Sequence, residues 1–108
     1  MKRYMGTAVR TKRGGYVVEV TDDQGHIRPL APRNDLHNHS PDGFMWGYRG
    51  SGPAQLALAL AADVLGDDRA AVQVHQALEW AMVAKWSQGA GWIVTEDDIR
   101  RVLAEIGA

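Results

Sequence analysis

Cysteine is absent from the 108 residues, and that gap removes thiol catalysis, thiolate zinc sites and disulfide frameworks. A cysteine-free chain suits a reducing compartment, so the cytoplasm is the expected location. Long apolar runs are also missing. The longest, Leu56 to Ala62, is far short of the roughly 20 residues that span a bilayer. The start, Met1-Lys-Arg-Tyr-Met-Gly-Thr7, is basic but is followed by no apolar stretch of the kind a secretory signal needs. At this length the chain is expected to fold as one domain, 1–108, without a metal or disulfide to staple it.

Complete catalytic motifs are lacking too. Gly47-Tyr-Arg-Gly-Ser-Gly-Pro53 precedes a helical pattern, where free N–H groups and the helix dipole attract anions. It has neither the Gly-Lys-Ser/Thr of a P-loop nor the G-x-G-x-x-G of a dinucleotide fold. Ser51 sits between two glycines, but a nucleophile elbow needs glycine where Arg49 stands. Nothing in the spacing ties His26 or His75 to Ser51 as a base. His37 and His39 form an H-x-H pair that chelates a metal only if a third ligand folds in. No catalytic residue, metal or cofactor is therefore expected.

What the chain does have is uneven charge. Residues 1–33 hold seven Lys or Arg against three acids, and the remainder holds five against ten. Such a chain can offer a basic end to a polyanion and an acidic end to a basic groove.

The elements follow from local pattern. Tyr16 to Val20 is β-branched and aromatic, and Asp22-Asp-Gln-Gly25 is a turn leading to a partner strand at His26 to Leu30. Tyr4 to Thr11 supplies another strand before the turn Lys12-Arg-Gly-Gly15. Residues 1–33 are thus expected to form a three-stranded antiparallel meander. Residues 34–52 form an aromatic and Gly-rich loop, in which Phe44, Trp46 and Tyr48 alternate and would share one face if extended. Residues 53–108 form a three-helix part, giving an α+β class overall.

The first helix is expected over about Pro53 to Leu65, with Ser51 as N-cap, Pro53 just inside the start and Gly66 as the stop. It is apolar nearly all round and is expected to be covered on most sides. Asp67 or Asp68 caps a second helix running to about Trp86, with Ala71, Val74, Leu78, Ala81, Met82 and Lys85 inward and Gln73, Gln76 and Glu79 outside. Trp92 to Val94 reads as a short strand or plug. Thr95 opens a third helix with Asp98 at the capping-box position, and Ile99, Val102, Leu103 and Ile106 make its apolar stripe.

Two groups of side chains suit partner binding. Arg10, Lys12, Arg13 and Tyr16, with Tyr4, put cations and aromatics around the first turn, as a nucleic-acid-binding hairpin would. Trp46 and Trp92 are expected in the core. Trp80 and Trp86 would fall about 120° apart on one helix, so one of them should be partly exposed, at a partner surface or a homodimer.

From His37 to about Glu105 the chain resembles a small uncharacterised family of bacterial and phage domains. The shared features are H-S-P-x-G-F-x-W-G-Y-x-G-S-G-P-A-Q-L-A-L from His39 to Leu58, L-G-D at Leu65 to Asp67, and W-x-V/L-T at Trp92 to Thr95. The resemblance implies a fold and a habitat, and no activity. With the small size and spare tryptophans, that habitat leads to an expected function: a non-enzymatic protein-binding accessory protein of a phage or mobile element, inhibiting a host defence complex in the anti-CRISPR manner. A nucleic-acid-binding accessory protein using the basic hairpin is the alternative.

Overall fold

In the computed structural model, which describes residues 1–107, the chain runs β1 (Arg3–Arg10), β2 (Tyr16–Thr21), β3 (Ile27–Pro29), α1 (Ser51–Leu65), α2 (Asp68–Ala81), a 3-10 turn (Val83–Lys85), β4 (Trp92–Thr95) and α3 (Glu96–Glu105). The class is α+β. The sheet has four strands rather than three, ordered β3-β2-β1-β4 and antiparallel throughout. The added strand is the expected apolar segment at Trp92. It pairs along β1 from Arg3↔Thr95 to Gly6↔Trp92, because β1 would otherwise be an open edge.

Alternation along β1 and β2 decides the inner face. Tyr4, Val18 and Val20 are buried, while Met5 and Ile93 face outward. The inner face joins Leu56, Leu58 and Leu60 of α1, Leu78 of α2 and Ile99 and Leu103 of α3 in one core. Every residue of α1 from Gly52 to Ala62 is buried, as its all-round apolar pattern implied. The small alanines leave room for α2 to lie close along it.

The caps divide into two kinds. Asp67 caps α2 through Ala70 N–H at 3.0 Å, Gly66 ends α1 in the left-handed conformation, and Thr95 with Asp98 closes a full capping box on α3. Ser51 does not cap α1. The N-cap is Gly50 and no side chain of the segment caps it; Ser51 is already the first helical residue and is exposed. The Gly50 N–H donates instead to Glu79 Oε2 at 2.9 Å. Glu79 is therefore 2% exposed rather than on the outer face of α2. Its carboxylate sits where the positive end of the α1 dipole favours it.

α2 also ends earlier than its pattern suggested. Met82 leaves helical geometry, and the 3-10 turn carries fully buried Val83 inward while Lys85 stays exposed. Trp86 thus lies beyond the helix, half-buried and stacked on Trp92 with ring centroids 4.2 Å apart. Trp46 is fully buried as expected, and Trp92 is only half-buried at the sheet margin. On α3, Arg100 pairs with Glu96 four residues earlier at 3.1 Å, and Arg101 with Asp98 three residues earlier at 3.4 Å. No helix among the described residues is long and apolar enough to cross a membrane.

Candidate functional site

Part of the charge asymmetry of the sequence is used within the fold. Lys2 and Arg28 both reach Asp63 on α1, at 3.0 and 2.8 Å, and Arg33 bonds Asp35 and Asp68. Tyr4 Oη donates to the same Asp63 carboxylate at 2.6 Å. Burial pushes the Asp63 carboxyl up, but the bonds from Tyr4, Arg28 and Lys2 together hold it below the ordinary carboxylate range. Among the described residues this leaves Arg3, Arg10, Lys12 and Arg13 as the basic residues of the first third without an acidic partner.

Three of these four lie at one place. β1 ends at Arg10, a β-bulge region with Ala8 at φ 54° having shifted its register against β2, and the turn closes through Thr11 N–H to Gly15 O at 2.7 Å. Arg10 folds back. Its guanidinium donates to Gly14 O and lies 5.0 Å from the Tyr16 ring centroid. Lys12 and Arg13 remain exposed beyond it.

Beside this turn is a groove of about 400 Å³. Tyr16, Val18, Leu30 and Phe44 give it an apolar base, and Pro29, Pro32 and Pro41 add rigid apolar walls. Lys12, Arg13 and Asp42 supply its charges. The long segment builds one side: Tyr16 N–H donates to Phe44 O at 2.8 Å, forming a single bridge rather than a strand. Phe44 and Trp46 turn inward, Trp46 donating through Nε1 to Ala90 O at 2.8 Å. Tyr48 does not share their face and is exposed. The expected alternation breaks at Gly47, whose φ of 88° turns the chain and whose N–H bonds Val83 O.

What fixes this segment is Gln55, a buried amide on α1. Its Oε1 accepts from the N–H of His39 and Ser40, at 2.8 and 3.1 Å, and its Nε2 donates to Pro32 O at 2.6 Å. One side chain thereby ties Pro32 to His39 and Ser40, bracketing the first part of the loop that leads to the groove wall. Its one mark in the sequence is a polar residue set among the apolar ones of the helix.

The remaining expected sites separate. Trp80, 46% exposed, stands on α2 with the Arg49 guanidinium 5.0 Å over its ring, away from Trp86. His37 and His39 meet an unexpected third histidine, His75 of α2, with His39 Nε2 2.9 Å from His75 Nε2. Among the described residues no three His, Cys, Asp or Glu side chains already stand as a metal cluster.

A model of a family of unknown function, DUF6166, matches residues 4–105, spanning every element from β1 to α3. The chain belongs to that family. The match takes in the sheet strands as well as the His39 to Leu58 motif, so in DUF6166 the hairpin, the groove and Gln55 all lie within the matched span. No curated protein and no solved structure matches the chain.

Proposed function

We propose that the chain is a non-enzymatic binding module that takes an extended segment of a partner protein into the groove beside the β1–β2 turn. The observation that carries this is the groove's chemistry: an apolar base of core residues with Lys12 and Arg13 at its margin. That combination suits a segment with apolar anchors followed by acidic residues. Strand addition at the neighbouring edge is disfavoured, because β3 has three residues and Pro29 removes a donor from it. The partner's side chains, rather than its backbone, would supply the contacts.

Nucleic acid fits less well. Arg10 is occupied by Gly14 and Tyr16, so two free cations remain at the turn. Two phosphate contacts correspond to a salt slope of only about −1.8, typical of weak binding. Panning a random peptide display library against the protein tests the choice. Enrichment of apolar–acidic peptides that Val17→Arg, a change at a groove-lining position, and Lys12→Glu/Arg13→Glu both abolish is expected. Failure to enrich, together with duplex binding that is steeply salt-dependent and lost in Lys12→Ala/Arg13→Ala, would replace this reading with the nucleic-acid one.

Within the bacterial and phage setting that the sequence resemblance implies, the proposed partner is an effector of host defence of the CRISPR-Cas type. Phage plating on a CRISPR-immune host tests this step separately. Expression of the chain should raise plaque counts, and unchanged counts remove the defence partner while leaving the groove.

A further inference from the structure

We propose that His39 and His75, with His37 turned in as a third ligand, form a binding site for a zinc-class divalent ion at the junction of the long segment and α2. The argument begins with His75, which is 7% exposed. Its Nδ1 lies 2.6 Å from Val72 O. A carbonyl oxygen only accepts, so Nδ1 carries the proton and the lone pair of the neutral ring is at Nε2. This is the arrangement in which metal-binding histidines are held: the far ring nitrogen donates to a backbone carbonyl and the near one faces the metal.

That lone pair faces His39. The two Nε2 atoms are 2.9 Å apart, so in the metal-free protein His39 Nε2–H donates to His75 Nε2. Two imidazole nitrogens on a tetrahedral zinc, each at about 2.0 to 2.1 Å from the ion, stand about 3.3 Å apart. Opening the pair by a few tenths of an ångström therefore admits the ion in place of the shared proton. His39 keeps its charge state in the exchange, its proton passing through solvent from Nε2 to Nδ1. The backbone of His39 is already fixed by its N–H bond to Gln55, which limits the ordering that binding must supply.

The third ligand is close. The His37 ring lies against His39, with centroids 4.0 Å apart, and His37 is exposed. Three imidazoles and a water would complete a tetrahedral set, and imidazole ligands select zinc, nickel or copper over magnesium or calcium. The site is independent of the groove reading, since none of the three histidines lines the groove.

Calorimetric titration of the untagged protein with zinc, and separately with magnesium, tests the site. One equivalent of zinc should bind and magnesium should not. His39→Gln should weaken zinc by about tenfold or more, and His26→Gln, remote from the cluster, should leave it unchanged. Because ligand replacement can disturb folding, imidazole ¹⁵N spectra of the native protein provide the second readout. Zinc should shift Nε2 of both His39 and His75 while the Nδ1–H of His75 persists. No zinc binding, binding that survives His39→Gln, or spectra in which only one of the two rings responds would overturn the proposal and leave a hydrogen-bonded histidine pair.

Discussion

Asp63 shows how much of this fold rests on single polar atoms inside an apolar helix. It gathers Tyr4 and Lys2 from β1 and its approach and Arg28 from β3, so one carboxylate ties the sheet to α1. Asp63→Asn replaces an ionised acceptor with a neutral amide facing three donors, and should cost about 2 to 3 kcal/mol in denaturant unfolding at neutral pH. The pH dependence has a definite sign. With the folded-state carboxyl held below its unfolded value, the stabilisation is complete above about pH 4 and is lost as pH falls through the folded-state value. The gap between native and Asp63→Asn proteins should accordingly narrow on acidification. A gap that is constant from pH 7 to strongly acid conditions would contradict the ionised hub. Gly6 is a second single-residue constraint: a Cβ there would lie 2.8 Å from Trp46 Cη2 and closer still to the Trp92 indole. Gly6→Ala should therefore lower the denaturation midpoint by the equivalent of about 1 to 3 kcal/mol.

At the level of elements, what could be read in advance depended on whether the determinants were local. The α3 stripe and capping box each rest on residues three or four positions apart, and both form as the pattern implied. Thr95→Ala should cost about 1 kcal/mol, and amide exchange should quicken first in the opening turn of α3. The end of α2 and the cap of α1 were not legible, because each is decided by packing across the fold. Val83 is drawn into the core past the end of α2, and the α1 N-cap is served by Glu79 from the next helix. A helical wheel places Glu79 outside, since it carries no information about what α2 packs against. Glu79→Ala should destabilise by about 1 to 2 kcal/mol, with Gly50 losing its amide protection; preserved protection at Gly50 would show that the carboxylate does not serve the cap. The groove was half legible. Its basic margin was visible as a cluster around a turn, whereas its apolar base is made by residues 16 to 44 coming together only in the fold.

Taken whole, the molecule is a sheet whose inner face is covered by helices and whose charge imbalance is absorbed in part between the two layers. The basic first third and the acidic remainder looked like two ends of a dipole, yet Lys2, Arg28 and Arg33 cross to acids on α1 and α2. The sheet also closes late in sequence order: β1 lies between β2, which follows it directly, and β4, which begins at Trp92. The tryptophans record that closure. Trp46, Trp86 and Trp92 touch one another in a chain, Trp46 edge-on to Trp92 at 5.5 Å and Trp86 stacked on it at 4.2 Å, while Trp80 stands apart in solvent. The protein is thereby its own optical gauge. Coupled indole transitions in the trio should give an exciton couplet in the far-ultraviolet dichroism that vanishes when β4 leaves β1. Iodide should quench the emission of Trp80 most strongly, so a Trp80→Phe variant should be less sensitive to the quencher while keeping the couplet.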